Sequence, residues 1–133
     1  MIGEEFWRYV SMSIRMIGID YHRADIDTRG VFSFTRKHAA ALMEKLVKKP
    51  GIRGCVLLST CNRMELTVSL DEKYEGSLLE EVCAYKGVDA GAYVRYFVER
   101  EGREAVGHLF YLTCGLRSMI LAEDQIPRRT VRA

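Results

Sequence analysis

Short apolar runs and longer stretches with an apolar residue at every third or fourth position alternate along the chain. Residues 14–19 are mostly apolar and predict a first strand that ends at Asp20. Residues 55–58 are continuously apolar, which is typical of a strand buried on both faces. Strict alternation of apolar and polar residues predicts a half-buried strand over 64–70, and a looser alternation of Val94, Tyr96 and Val98 with Arg95 and Phe97 predicts a fourth strand.

The stretches between these strands carry the pattern of amphipathic helices. Thr35 is a suitable N-cap for a helix over 36–49, in which the apolar residues share one face. A second helix is predicted over 77–86. A third helix begins after Gly102, and Gly115 is a position at which it could break.

The predicted order of elements is strand, helix, strand, strand, helix, strand, helix. This order is typical of an α+β fold, the ferredoxin-like split βαβ sandwich, in which helices pack on one face of an antiparallel sheet. The last helix is an extra C-terminal one. Residues 21–30 are rich in Arg and Asp and are predicted to form a loop, whereas the tail, residues 127–133, has no apolar pattern and is predicted to be frayed.

The composition limits the classes of function that remain open. The chain has 133 residues, of which 48% are hydrophobic and 29% charged, and this suits one globular domain. Twenty Lys and Arg against eighteen Asp and Glu give a formal charge of +2, so any contact with nucleic acid or anionic lipid must be local. The sequence contains no glycine-rich phosphate loop, so this domain does not bind a dinucleotide by that device.

The positions of cysteine and histidine argue against a metal centre. The four cysteines and three histidines are scattered without the paired spacing of zinc ligands, so no metal site is predicted. Residues 1–13 form an N-terminal extension without the apolar core of a secretory signal. No stretch approaches the roughly 18 apolar residues of a membrane span. The sequence therefore favours a cytoplasmic protein with reduced thiols and no membrane contact.

Cys61 lies in a polar turn and is the candidate nucleophile. The turn, residues 59–63, separates two apolar strands and should present its side chains to solvent at the edge of the sheet. The positive charge of Arg63, two residues away, favours the thiolate over the thiol. An exposed cysteine in a turn can also be incidental. The other cysteines lie in apolar stretches and are expected in the core: Cys55, Cys83 and Cys114.

Other polar residues have a functional and a structural interpretation, and the sequence leaves both open. His108 could activate the thiol if it reached Cys61 in space, or it could be a boundary residue of an apolar helix. Arg63 could be a solvated charge or could bind a substrate carboxylate in bidentate geometry. Residues 21–23 with Arg29 form either a solvated loop or a contact for RNA phosphates. Capping a helix end is the default role of three C-terminal residues: Ser118, Glu123 and Gln125.

Residues 58–66, Leu-Ser-Thr-Cys-Asn-Arg-Met-Glu-Leu, resemble the signature of glutamyl-tRNA reductase, the enzyme that opens tetrapyrrole synthesis from glutamate. Three further segments are similar to that family in the same order along the chain. Residues 17–24 resemble its first strand and loop, residues 105–110 the segment with its active-site histidine, and residues 115–126 a substrate-contacting segment. The resemblance covers nearly the whole chain.

The resemblance implies a covalent mechanism. The Cys61 thiolate would attack the ester that joins glutamate to its tRNA, release the tRNA and hold glutamate as a thioester. NADPH, bound only by full-length members of the family, would reduce this thioester to glutamate-1-semialdehyde. His108 would assist the chemistry, and Arg63 would hold the glutamate carboxylate. The further substrate-binding residues that the resemblance implies are Thr60, Asn62, Ser118, Glu123, Asp124 and Gln125.

The resemblance also implies a division of the chain and a set of partners. Residues 14–126 would be the catalytic domain, and residues 127–133 a divergent tail in which Pro127 would interrupt the family's connecting helix. The NADPH-binding and dimerisation domains are expected to be absent, which limits the expected activity to thioester formation or hydrolysis. Expected partners are glutamyl-tRNA, glutamate-1-semialdehyde aminomutase as a candidate, and, for full-length members, a second copy in a homodimer.

The first loop departs from the family pattern. Asp20 and Tyr21 stand in place of Asn-His, and Arg23 stands in place of a small hydroxyl residue. Two other functions therefore stay open at this point. One is a non-catalytic truncated homologue that binds tRNA or a partner reductase, and the other is a generic ferredoxin-like binding domain, because a fold alone does not specify a function.

Overall fold

The computed structural model describes residues 3–6, 14–20, 22–120 and 130–132, and describes residues 113–120 and 130–132 as backbone. The strands are β1 (Ile14–Asp20), β2 (Ile52–Ser59), β3 (Arg63–Leu70), β4 (Val98–Glu101) and β5 (Thr130–Arg132). The helices that follow β1 are α1 (Ile26–Val31), α2 (Arg36–Val47), α3 (Leu78–Lys86), α4 (Ala90–Tyr93) and α5 (Gly102–Ile120).

The strands form one antiparallel sheet in the order β4-β1-β3-β2-β5. β3 lies at its centre, where Glu65 is opposite Gly18 of β1 and Leu58 of β2. The predicted fold class, an α+β sandwich of ferredoxin-like type on an antiparallel sheet, is confirmed. Because β3 is central, side chains on both of its faces are within reach of other elements.

One face of the sheet carries the main hydrophobic core under α2 and α3. The hydroxyl of Thr35 accepts a hydrogen bond from the His38 amide at 3.2 Å, so α2 begins where the sequence predicts. Ser77 caps α3 in the same way. Both predicted helices are confirmed to within two residues at their ends. Buried side chains that meet in this core include Ile17, Leu42, Leu46, Leu57, Leu66 and Val82.

The long helix α5 covers the opposite face of the sheet. Glu65 and Thr67 are buried on that face, whereas their neighbours Met64 and Leu66 point into the main core. Ala105 of α5 is fully buried as well. The prediction that β3 is half-buried is therefore wrong, because a helix from far along the chain shields its polar face from water.

Two segments form helical turns where the sequence predicts loop or strand. Residues 26–31 of the predicted loop form α1, because the Asp25 carboxylate accepts a hydrogen bond from the Thr28 amide at 2.8 Å and caps the helix. Residues 94–96 of the predicted fourth strand form a 3-10 turn, and β4 begins only at Val98. Packing explains this turn: the rings of Tyr93 and Phe97 stand edge-on to Phe32 at 5.0 and 4.9 Å, which two residues roughly 13 Å apart on a strand could not do.

The C-terminal segments also differ from prediction. α5 continues to Ile120 without a break at Gly115. The prediction of a frayed tail is wrong for residues 130–132, which form β5 and pair with residues 56–58 of β2. The unpaired backbone groups on the outer side of β2 provide the reason, because an exposed strand edge recruits another strand through main-chain hydrogen bonds and needs no apolar pattern in it.

Candidate active site

Cys61 lies in a tight turn between β2 and β3. The Thr60 amide donates a hydrogen bond to the Arg63 carbonyl oxygen at 2.8 Å and closes the turn. The Thr60 hydroxyl accepts hydrogen bonds from the amides of Asn62 and Arg63, both at 3.2 Å. The side chain of Cys61 is exposed, as predicted. Thr60 therefore holds the backbone on which the thiol is presented, a typical use of a hydroxyl residue in a turn.

Cys61 forms part of the wall of a pocket of about 190 Å³. One side of this pocket is α1 with the residues that follow it, and the other side is the turn with the first residues of β3. The polar groups in the lining belong to Arg29, Ser33, Thr60, Cys61 and Arg63. The structure thus brings Thr60, Cys61 and Arg63 together as predicted, and it adds a wall from α1 that the sequence analysis treated as loop.

Two arginines line the pocket together with the thiol. Arg29 donates a hydrogen bond from Nη1 to the Ala24 carbonyl oxygen at 2.8 Å, and its Nε is buried without a hydrogen-bond partner among the described residues. Arg63 approaches from the opposite wall. Guanidinium groups bind carboxylates strongly through paired N–H donors. A pocket that joins a cysteine to two guanidinium groups therefore suits an acyl compound that also carries a carboxylate.

Glu65 is a residue of this site that the sequence analysis did not single out. Its side chain is only 7% exposed, and Oε2 accepts a hydrogen bond from Arg63 Nη1 at 3.1 Å. Gly18 leaves the space for it, because a Cβ at Gly18 would lie 2.9 Å from Glu65 Cγ. The signal was present in the sequence: a glutamate on a central strand must find partners for its charge.

His108 projects from α5 toward the sheet and meets the second oxygen of Glu65. The distance from His108 Nε2 to Glu65 Oε1 is 2.8 Å. An ionised carboxylate only accepts hydrogen bonds, so Nε2 is the donor in this contact. His108 is not among the described residues that line the pocket, and its connection to Cys61 runs through Glu65 and Arg63. The sequence predicted the histidine without this intermediary.

The remaining predicted residues contribute less to the geometry. Asn62 is exposed at the tip of the turn and contacts Thr60 through its amide. Ser118 lies on α5, but its side chain is outside the described residues. The other predicted residues of the second substrate segment also lie outside the described residues: Glu123, Asp124 and Gln125. Tyr21 of the first loop lies outside them as well.

Two of the other cysteines are core residues, as predicted. Cys55 is buried with its Sγ 3.9 Å from the Met43 carbonyl oxygen, and burial raises the pKa of its thiol to about 11. Burial likewise raises the pKa of Cys83. Both thiols are protonated and shielded at neutral pH. Cys114 lies on α5 with its side chain outside the described residues.

The described residues contain neither a cluster of metal ligands nor a membrane-spanning helix. Across the described residues, no group of three or more His, Cys, Asp or Glu side chains is placed to hold a metal ion. No helix in the same residues is long and apolar enough to cross a bilayer.

The fold and the pocket together define a class of protein: a small α+β domain with an exposed thiol in an arginine-lined pocket, suited to acyl chemistry on cysteine. The particular family follows from comparison with known proteins. The model of the family described as "Glutamyl-tRNAGlu reductase, N-terminal domain" matches residues 17–133, and the chain belongs to this family. The family resemblance found in the sequence is thereby confirmed.

Individual relatives agree with this assignment. The glutamyl-tRNA reductase of Alkaliphilus oremlandii is 40% identical over 115 residues, which cover 86% of this chain and 34% of that protein. The glutamyl-tRNA reductase of Acetivibrio thermocellus is 41% identical over 115 residues, with coverage of 86% and 35%. The structure of glutamyl-tRNA reductase from Methanopyrus kandleri matches with a TM-score of 0.58 and 28% identity, covering 89% of this chain and 26% of that chain. The chain thus spans about a third of the length of these curated relatives.

Proposed function

We propose that this chain catalyses the acyl-transfer step of a glutamyl-tRNA reductase. The Sγ of Cys61, as thiolate, attacks the carbonyl carbon of the ester between glutamate and the 3′ end of tRNA. A C–S bond forms, the ester C–O bond breaks, and the ribose oxygen leaves and takes up a proton. Glutamate remains on Cys61 as a thioester, and the step is covalent catalysis by a cysteine nucleophile.

One observation carries this proposal: the exposed thiol of Cys61 shares a pocket with two arginines, in a chain that belongs to the glutamyl-tRNA reductase family. The thiol supplies the nucleophile, and the guanidinium groups supply partners for the side-chain carboxylate of the glutamyl group. A glutaminyl group has one acceptor oxygen in place of two and carries no charge, so the same contacts would favour the glutamyl group.

The other residues of the site are proposed to position and assist. Thr60 holds the turn through its hydroxyl, which accepts hydrogen bonds from the amides of Asn62 and Arg63. His108 is held by Glu65 through the 2.8 Å contact of its Nε2, which fixes the orientation of the ring. We assign to this histidine the assisting role that the family resemblance implies. Ser118 and residues 123–125 are proposed as substrate contacts on the same resemblance.

NADPH, which the family implies for full-length members, has no matching site in the described residues. Its phosphates are commonly held by a glycine-rich turn between a strand and a helix of a parallel sheet. The sheet here is antiparallel, and the described glycines with positive φ, at 51, 87 and 102, lie before β2, after α3 and at the start of α5. We derive no step through NADPH. The reduction to glutamate-1-semialdehyde is proposed to take place outside this chain.

The proposed place of the step is the start of tetrapyrrole biosynthesis from glutamate, in the cytoplasm. We propose residues 14–126 as the catalytic unit and glutamyl-tRNA as its substrate. Glutamate-1-semialdehyde aminomutase, as the enzyme that would consume the final product, is a candidate partner of the full-length protein. A homodimer is likewise proposed for full-length members only.

Mass spectrometry of the intact chain tests the proposal. Incubation with glutamyl-tRNA carrying labelled glutamate should add one glutamyl group, mapped to Cys61, and hydroxylamine should remove it, as expected for a thioester. Cys61→Ser should abolish the labile adduct, and Cys55→Ala, a matched change at a buried thiol, should retain it. Absence of any adduct on the unchanged chain would overturn the proposal. Unchanged tRNA affinity in Cys61→Ala, together with no adduct on the unchanged chain, would instead support a non-catalytic binding role.

A further inference from the structure

The N-terminus of α2 lies at the rim of the Cys61 pocket. The Phe34 amide donates a hydrogen bond to the Ser59 hydroxyl at 3.0 Å, which ties this part of the chain to the end of β2, two residues before Cys61. Ser33 itself lines the pocket. The Lys86 ammonium donates to the Ser33 carbonyl oxygen and lies over the Phe34 ring, 4.1 Å from its centre. The start of α2 is thereby fixed beside the candidate nucleophile.

The first turn of α2 carries the wrong charge for helix stability. Arg36 and Lys37 stand at the positive end of the helix dipole, where acidic residues are preferred, and the turn contains no acidic residue. Both side chains are exposed, and neither forms an ion pair among the described residues. No acidic residue occurs from Ser33 to Met43. Helix stability therefore does not account for the positive charge at this position.

The N-terminal end of α1, the helix that contributes Ile26 and Arg29 to the pocket, has a different charge. Asp25 and Asp27 stand at the N-terminal end of α1 and are both exposed. Their carboxylates would repel an anionic partner that crossed α1. The first turn of α2 carries positive charge alone, so a polyanion that reaches the pocket is attracted there, whereas around α1 the charges of Arg23 and Arg29 are offset by these two carboxylates.

We propose that Arg36 and Lys37, here called the basic rim, bind backbone phosphates of the RNA strand whose 3′ end carries the glutamyl ester into the pocket. This inference rests on the proposed function, which places that ester at Cys61. A pocket of about 190 Å³ admits the glutamyl group but not a polynucleotide, so the strand must lie across the surface beside it. Because the formal net charge of the chain is only +2, a contact with RNA phosphates must come from a local group of positive charges, and the basic rim is such a group.

The same helix provides a matched control for this proposal. Lys45 and Lys48 are exposed near the C-terminal end of α2, about 15 Å from the basic rim at the helical rise per residue. The double variant R36E/K37E and the double variant K45E/K48E change the net charge by the same amount. Glutamate at the first turn also suits the helix dipole, so R36E/K37E should fold at least as stably as the unchanged chain, which thermal unfolding checks.

The experiment measures RNA binding and acylation separately. Fluorescence anisotropy with a 5′-labelled, uncharged tRNA transcript for glutamate should show at least about tenfold weaker binding for R36E/K37E and less than twofold for K45E/K48E. The slope of log K against log salt should fall by about one to two for R36E/K37E, as expected for the loss of one or two phosphate contacts. The ratio of Cys61 acylation by glutamyl-tRNA to acylation by the 4-nitrophenyl α-ester of glutamate should fall in parallel.

Three outcomes would overturn the proposal that the basic rim binds RNA phosphates. These are equal losses in the two double variants, an unchanged salt slope in R36E/K37E, and no binding of the transcript by the unchanged chain at low salt. Failure of the proposed function has a different signature, in which neither the RNA-borne ester nor the nitrophenyl ester acylates Cys61 while the binding measurements still decide the role of the rim.

Discussion

Glu65 and His108 are 43 positions apart in the chain and meet through a 2.8 Å contact between Oε1 and Nε2. The first residue lies on the central strand β3, and the second lies on α5, which covers the polar face of the sheet. The other oxygen of Glu65 accepts a hydrogen bond from Arg63, at the edge of the Cys61 turn. One buried carboxylate therefore links the helix, the sheet and the candidate active site, and its burial is compensated by contacts with Arg63 and His108.

The first prediction concerns Glu65 itself. Glu65→Ala leaves the Arg63 guanidinium and the His108 ring without their shared acceptor, and we expect a loss of about 1–3 kcal/mol in the free energy of unfolding, measured with urea. Acylation of Cys61 should slow at least about tenfold, because its neighbours lose their orientation. Glu65→Gln keeps one acceptor oxygen, so its stability and its acylation rate should lie between those of the unchanged chain and those of Glu65→Ala.

A spectroscopic measurement separates orientation from simple destabilisation. In the unchanged chain, ¹⁵N NMR of the neutral His108 ring should show the proton on Nε2, because the carboxylate holds it there. Glu65→Ala should give a mixture of the two tautomers. An unaltered tautomer in this variant would contradict the role assigned to Glu65, whatever the change in stability.

The second prediction concerns Gly18, which faces Glu65 across the sheet. A Cβ at this position would lie 2.9 Å from Glu65 Cγ and 3.2 Å from the Met64 carbonyl oxygen, so Gly18→Ala should lower the free energy of unfolding by about 1–3 kcal/mol. Gly107 on α5 provides the control, because a Cβ there meets nothing within 4 Å. Gly107→Ala should raise stability by about 0.5–1 kcal/mol through helix propensity. The same sign for both substitutions in urea unfolding would refute the steric argument.

The third prediction concerns the reactivity of the cysteines. Iodoacetamide at pH 7.5 should label Cys61 at least about tenfold faster than Cys55 or Cys83, because only the first of these three thiols is exposed. Peptide mapping after timed quenching measures the three rates. In concentrated urea the difference should disappear, which provides the control for intrinsic reactivity. Comparable rates in the folded chain would show that the exposure described for Cys61 is not its state in solution.

The fourth prediction concerns stability at alkaline pH. Burial raises the pKa of Cys55 from its ordinary value of 9.0 to about 11, so the folded state favours the protonated thiol. This contribution is complete below pH 9 and is lost as the pH rises through 11. The free energy of unfolding should therefore fall between pH 9 and 11, and it should fall less steeply in Cys55→Ala.

The difference in pH profile between the unchanged chain and Cys55→Ala isolates the contribution of the Cys55 thiol to the free energy of unfolding. Tyr74, whose pKa burial raises to about 12, adds a loss at high pH that is common to both. Parallel pH profiles for the unchanged chain and Cys55→Ala would contradict the assignment to Cys55.

Much of the fold follows from local signals in the sequence. Thr35 and Ser77 cap α2 and α3 with their own hydroxyls, and the apolar spacing of each helix matches the face that it buries. β1 begins and ends within one residue of its predicted bounds. Such elements are predictable because capping bonds and apolar faces lie within a few residues of one another in the chain.

Two of the errors of prediction share one physical cause. Residues 94–96 have the alternation of a strand but form a turn, because the rings on either side of them both pack against Phe32, more than 60 positions earlier in the chain. Residues 130–132 have no apolar pattern but pair with β2, whose edge is available. In each case, contacts distant in sequence outweigh the local preference.

The candidate site divides in the same way. The turn with the candidate nucleophile could be predicted from the sequence, because Thr60, Cys61 and Arg63 are neighbours in the chain. Two other features are visible only in the folded chain: Arg29 lies across the pocket from this turn, and Glu65 contacts both Arg63 and His108. The alternation of the strand predicts that Glu65 is exposed to solvent, because the sequence does not show that a distant helix covers this face. Once the helix covers it, the buried charge requires hydrogen-bonding partners.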